Sequence, residues 1–236
     1  MSKTTPARVL IVTTSTPSYE RAGYRTGLWL GELTHFWDVL EKDGHHLTIA
    51  SVDGGQVPID PESLSAPVLA MGGTKKRYED TGFMSMLDET ASLDDVASDG
   101  WDAVYLTGGH GTMFDFPYNP VLADLLVTTY EAGGIVAAVC HGPAGFVGAT
   151  GSDGNPLIAG KKVTGFSWPE EKLAGRDKVV PFRLDHALKE EGATYTKALR
   201  PMAEKVVRDG TLVTGQNPTS AEGVGKAVAK LLAKSR

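Results

Sequence analysis

Short β-branched apolar runs alternate along the chain with longer stretches whose apolar residues recur at helical spacing. Arg8 to Thr14 is the first such run; it ends in a Ser-Thr-Pro turn and reads as a buried strand. Thr26 to Asp43 is expected to form one long helix stopped by Gly44, and Leu47 to Val52 alternates as a second strand, which makes β-α-β. Residues 54–98 carry weak periodicity, several prolines and the Gly72-Gly73 pair; they read as an insertion after the second strand with short helices. Trp101 to Thr107 is a strand that runs into Gly108-Gly109-His110-Gly111, Pro120 to Ala132 is helical, and Gly134 to Val139 is a dense apolar strand ending at Cys140-His141-Gly142-Pro143, after which another helix is expected. Lys162 to Gly165 suggests a short strand and Phe182 to Glu191 a helix. Lys205–Arg208 and Thr211–Thr214 flank Asp209-Gly210, a β-hairpin signal near the C-terminus. A last helix opens with Asn217 as N-cap and Pro218 at its first position.

Strands alternating with helices predict an α/β fold, a parallel sheet wrapped by helices on both faces. No linker or internal repeat divides residues 1–236, so one domain is expected, with 54–98 inserted in it. In such sheets ligands bind beyond the carboxyl ends of the strands where strand order reverses, which points to the segments after Thr14, Thr107 and Val139.

Cys140 is the strongest chemical candidate there. It sits where an apolar strand stops and a Gly-Pro segment turns, a position that resembles a nucleophile elbow, and a following helix N-terminus would favour its thiolate. The alternative is a buried cysteine acting as a small apolar residue. Glu32 is the second candidate, because helical spacing puts it on one stripe with Leu28, Gly31, His35, Phe36 and Val39, where a carboxylate is out of pattern. The other possibility is a partly exposed stripe edge. His141 could hold a catalytic proton or only end the strand. Its backbone N–H, with an amide from Gly108 or Gly109, could form an oxyanion hole, although Gly108 to Gly111 could equally be a tight turn.

Composition narrows the classes. At 41% hydrophobic and 22% charged, the 236 residues match a soluble globular protein, and a net charge of −6 without a basic tract argues against nucleic acid. A single cysteine excludes an internal disulfide or multi-cysteine zinc site and suggests a cytoplasmic protein. Lys3 and Arg8 precede an apolar run, Val9 to Val12, that is too short for an export signal, and no stretch is long enough for a membrane helix. No Walker A motif, full dinucleotide fingerprint or His-Glu-x-x-His motif is present; His45-His46 reads as exposed turn chemistry, not a metal pair.

Ala137-Ala138-Val139-Cys140-His141-Gly142-Pro143, Gly108-Gly109-His110-Gly111 and Glu32 resemble the nucleophile segment, oxyanion loop and cysteine-facing glutamate of the PfpI/DJ-1 superfamily, flavodoxin-like proteins akin to class I glutamine amidotransferases. Thr26-Gly27, His35, Thr112-Met113-Phe114-Asp115, Lys162 to Phe166 and Val213 to Pro218 are similar to its heat-shock protein 31-like glyoxalase branch. The resemblance implies glyoxalase III activity, a lyase of the D-lactate dehydratase type that converts methylglyoxal or glyoxal without glutathione, without cofactor or metal, in a homodimer. It also implies an acidic residue after the Gly-Phe strand that supports His141. Trp168-Pro169-Glu170-Glu171 offers two, and the spacing in the related glyoxalases favours Glu171. The late His-x-Glu pair of an amidotransferase is missing at His186-Ala187-Leu188. The competing functions are a holding chaperone or cysteine redox sensor, and a cysteine hydrolase of small amides or peptides.

Overall fold

Arg8–Thr13 forms β1, and its neighbours in the sheet, one on each side, explain why Val9 to Val12 carries no polar residue on either face. The computed structural model describes residues 6–20 and 22–234; Lys3 lies outside them. After β1 come α1 (Leu30–Lys42) and β2 (His46–Ser51), then α2 (Ala66–Leu69), α3 (Thr74–Glu79), α4 (Thr81–Ser85), the two-residue β3 (Ala91–Ser92) and α5 (Leu93–Val96). β4 (Ala103–Leu106), α6 (Thr112–Asp115), α7 (Pro120–Glu131) and β5 (Ile135–Val139) lead to β6 (Lys162–Val163), α8 (Trp168–Leu173), α9 (Leu184–Glu190) and β7 (Thr194–Tyr195). The chain closes with β8 (Val206–Asp209), β9 (Leu212–Gly215) and α10 (Ala221–Leu232).

The main sheet runs β3-β2-β1-β4-β5-β9-β8, parallel throughout except for the β8–β9 hairpin. Chain order moves one way from β1 to β2 and the other way from β4 to β5. With right-handed crossovers, the intervening helices α1 and α7 therefore cover opposite faces. Val9 to Val12 and Val136 to Val139 are fully buried, as strands covered on both faces must be. α1 packs against α10, and Phe36 on α1 stacks on Tyr105 of β4 with ring centroids 3.7 Å apart.

Several expected boundaries moved. The helix anticipated from Thr26 starts at Leu30, because Thr26 to Trp29 is extended: the Thr26 N–H bonds the Pro17 carbonyl and the Leu28 N–H bonds that of Pro58. Gly27 allows this path at φ +146°, where a Cβ would fall 2.1 Å from the Pro58 carbonyl oxygen. The helix expected after Cys140 is a single 3₁₀ stretch, Gly142–Phe146. Asn217 caps nothing through its side chain; a 3₁₀ turn, Pro218–Ser220, precedes α10. The short strand at Lys162 does form, yet as β6 it pairs only with β7 in a separate two-stranded sheet.

Residues 54–98 leave the sheet after β2 and return to its edge at β3, which pairs with β2. Their helices lean on α1 through polar contacts: Arg77 on α3 pairs with Asp38 and Glu41, and the Thr74 hydroxyl meets Thr34 and His35. Among the described residues no helix is long and apolar enough to cross a membrane.

Candidate functional site

Strand β5 ends at Val139, and Cys140 turns sharply with φ +57°, in the left-handed region that a non-glycine residue occupies only when the surroundings enforce it. Two backbone bonds enforce it here. The Cys140 N–H reaches the Gly215 carbonyl on β9 at 2.9 Å, and the Cys140 carbonyl accepts from the Phe166 N–H at 2.7 Å. The turn aims the thiol away from the strand axis over the β4 edge. A Cβ on Gly108 would lie 2.8 Å from the Cys140 Cβ and 2.5 Å from Glu32 Oε2, so only glycine lets the three meet.

Glu32 comes from the first turn of α1 and is completely buried. Its Oε2 accepts from the Gly108 N–H at 2.7 Å, and the Tyr105 hydroxyl donates to its backbone carbonyl at 2.9 Å. Among the described residues its Oε1 has no hydrogen-bond partner. Desolvation raises the Glu32 pKa to about 8, against the opposing pull of the Cys140 thiol and the Gly108 amide. At neutral pH the carboxyl therefore carries a proton. Burial, then the facing Glu32, likewise pushes the Cys140 thiol well up. The thiolate-favouring helix end expected from the sequence is thus outweighed: Glu32 raises the Cys140 pKa, whereas the Cys140 thiol lowers that of Glu32.

His141, although adjacent in sequence, turns its ring back so that Nδ1 lies 3.3 Å from Cys140 Sγ. Its Nε2 is 2.8 Å from Glu171 Oε2, and the other carboxylate oxygen, Oε1, is 2.7 Å from Nε2 of His110. All three residues are buried. Burial alone would raise the Glu171 pKa, but the His141 charge and hydrogen bonds from both imidazoles bring it well below the usual carboxylate range. Glu170, the other acidic candidate, points elsewhere. It accepts from the Ser167 N–H and hydroxyl, the Met202 N–H, and the Gln216 and Asn217 side-chain amides. The Asn217 amide nitrogen is thus spent on Glu170 and the Ala203 carbonyl, while its oxygen accepts from the Thr219 and Ser220 hydroxyls in place of a backbone N–H.

Cys140, His141 and His110 open on a cavity of about 190 Å³ walled by Trp29, Phe166, Leu173, Ala174, Met202 and Pro218. Of the three oxyanion donors expected, Gly108 is already engaged, since its N–H serves Glu32. The N–H groups of Gly109 and His141 have no protein acceptor among the described residues, which leaves them available to a negative oxygen. His110, His141 and Glu171 also bring three metal-ligating atoms within 4.8 Å of one another. In the structure those atoms are occupied by the hydrogen bonds just described.

His110 is the residue that sequence reasoning missed. In Gly108-Gly109-His110-Gly111 it read as part of a turn, and only its place after β4, at the same sheet edge as Cys140, could have singled it out.

The DJ-1/PfpI family model matches residues 27–231. The glutathione-independent glyoxalase HSP31 of Saccharomyces cerevisiae is 34% identical over 223 residues, spanning 92% of this chain and 94% of the yeast protein. Among solved structures, the Rapid Encystment Protein 24 KDa of Francisella tularensis superposes with a TM-score of 0.90 at 37% identity, covering 96% of this chain and 99% of that one. Glyoxalase III from Candida albicans superposes with a TM-score of 0.88 at 32% identity, covering 95% and 96% respectively.

Proposed function

The chain belongs to the DJ-1/PfpI family, and from that premise we propose that it is a glutathione-independent glyoxalase that converts methylglyoxal to D-lactate on Cys140. The observation that carries the proposal is a thiol held between an imidazole nitrogen at 3.3 Å and a buried, proton-bearing carboxyl, at the floor of a cavity of about 190 Å³. A two- or three-carbon aldehyde fits such a volume and needs no charged anchor.

The residues have these roles. Sγ of Cys140 bonds to the aldehyde carbon C1, and its proton passes by way of His141 Nδ1 to the carbonyl oxygen, whose passing negative charge faces the N–H groups of Gly109 and His141. Glu32, as the carboxylate, takes the hydrogen from C1 and returns it to C2 while a proton moves from the C1 oxygen to the C2 oxygen. The hemithioacetal of the 2-oxoaldehyde, its C2 ketone still intact, thereby becomes the thioester of a 2-hydroxy acid. Water hydrolyses the thioester, which releases the acid and restores the thiol. Glu171 orients His141 throughout.

Cys140, His141 and Glu171 joined in sequence also suit acyl transfer, which keeps amide hydrolysis as the second reading. Glu32 favours the glyoxalase, because amide cleavage has no carbon-bound proton to move. A redox sensor is less well served, since Cys140 is buried and its thiol is pushed up, the opposite of an exposed thiolate. The test is lactate formation from methylglyoxal without glutathione. The wild type should turn over and Cys140→Ser should not; an active Cys140→Ser, or a wild type active only on small amides, overturns the proposal.

A further inference from the structure

His110 makes one polar contact with the machinery just described, and that contact sits on the far side of Glu171 from His141. A carboxylate has no proton to give, so both imidazole Nε2 atoms must be donors toward it. A neutral His141 is then confined to the tautomer whose Nδ1 is bare, and Nδ1 is the atom 3.3 Å from Cys140 Sγ.

We infer that His110 is a positioning residue of this site: its Nε2–H holds Glu171 Oε1, so that Glu171 Oε2 is aligned to take the Nε2–H of His141 and leaves His141 Nδ1 unprotonated toward the thiol. The inference rests on the glyoxalase reading for its effect on turnover and on geometry alone for its effect on His141.

The surroundings of His110 suit a neutral donor. Its ring packs 4.1 Å from that of His141 and 5.5 Å from that of Tyr19, centroid to centroid. Burial first, then the neighbouring His141, pulls its pKa down, against Glu171 and the buried Asp60, which pull it up. Arg176 lies beyond Tyr19, with its guanidinium over that ring and its charge paired to Glu62. Without the His110 donor, Glu171 Oε1 would be a buried carboxylate oxygen lacking its partner. Part of the reason for Glu171 to stay ionised would go with it.

Replacement by glutamine separates this role from simple packing, because a Gln amide nitrogen can stand near the Nε2 position whereas an Asn amide is too short to reach Glu171. The experiment compares wild type, His110→Phe, His110→Asn and His110→Gln by ring ¹⁵N shifts of His141 and by the pH profile of methylglyoxal turnover. His110→Phe and His110→Asn should give a mixture of His141 tautomers and a fall in turnover of roughly 10-fold, below the full general-base contribution, at every pH of the profile. His110→Gln should retain the wild-type tautomer and most of the activity. If His110→Phe does not fold, His110→Asn carries the comparison. A single Nε2–H tautomer of His141 in His110→Asn, with turnover undiminished, overturns the inference. The ¹⁵N shifts decide it even if wild-type turnover of methylglyoxal is absent, an outcome that would remove the glyoxalase reading instead.

Discussion

Glu32 combines complete burial with an unpartnered Oε1, and the proton it keeps to about pH 8 has consequences for stability as well as chemistry. Its pKa in the folded protein lies above the ordinary 4.5, so the native state binds this proton more tightly than the unfolded chain does. The stability this contributes is full below the unfolded value and is lost as pH rises toward about 8. Glu32→Gln cannot titrate. From about pH 5 to about pH 9 it should therefore gain stability relative to the wild type, on the order of a few kcal/mol, as read by denaturant melts at each pH. A constant difference between the two proteins across that range would show that Glu32 titrates normally. At this scale much of the site was legible in the sequence: Cys140 at the end of an apolar strand and Glu32 as a carboxylate on an apolar stripe are both breaches of pattern. His110 breached no pattern, and the capture of the Gly108 N–H by Glu32 is a contact between α1 and the β4 edge that no local spacing records.

The element that holds the site together is α8, whose first turn carries two buried glutamates with opposite tasks. Glu171 faces the histidines, whereas Glu170 ties the start of the helix to Met202, Gln216 and Asn217. Glu170→Ala would leave several buried donors unpaired, costing ~3 kcal/mol or more and lowering Tm by roughly 6–12 °C. Glu171→Gln should instead fold and lose turnover, roughly 10²-fold or more, since an uncharged amide has one accepting oxygen and cannot accept from both His141 and His110. Thermal melts and assays at low temperature on both variants check this division. Equal losses of activity at unchanged Tm would contradict it. The sequence pointed to Glu171 only through resemblance, because two adjacent glutamates on one short helix differ by about 100° in direction and nothing local says which faces inward. The late start of α1 was hidden for a similar reason: Thr26 to Trp29 continue the helical spacing, yet their backbone is claimed by Pro17 and Pro58 from other segments.

Across the whole molecule, sheet order decides where chemistry can occur. β1 and β4 lie side by side while the chain leaves them in opposite directions, so the loops after β1, β4 and β5 open a crevice at one sheet edge. Gly108 to Gly111, Cys140 and His141 come from two of those loops, and Glu32 reaches them from the start of α1. This arrangement was legible because each strand is a dense apolar run. The path of residues 54–98 was not, since its helices are short and meet α1 through scattered contacts, Arg77 and Thr74 on α3 and Phe83 on α4, that leave no periodic stripe. Proton transfer through the Glu32–Cys140 pair is tested most directly by the pH dependence of glutathione-free kcat/KM for methylglyoxal, measured on the wild type and Glu32→Gln. With Glu32 acting as the carboxylate, kcat/KM should climb with pH and level off near pH 8, and Glu32→Gln should be slower by roughly 10²-fold or more and lack that rise. A wild-type profile that is flat from pH 6 to pH 9, or a Glu32→Gln profile that keeps the same rise, would contradict it.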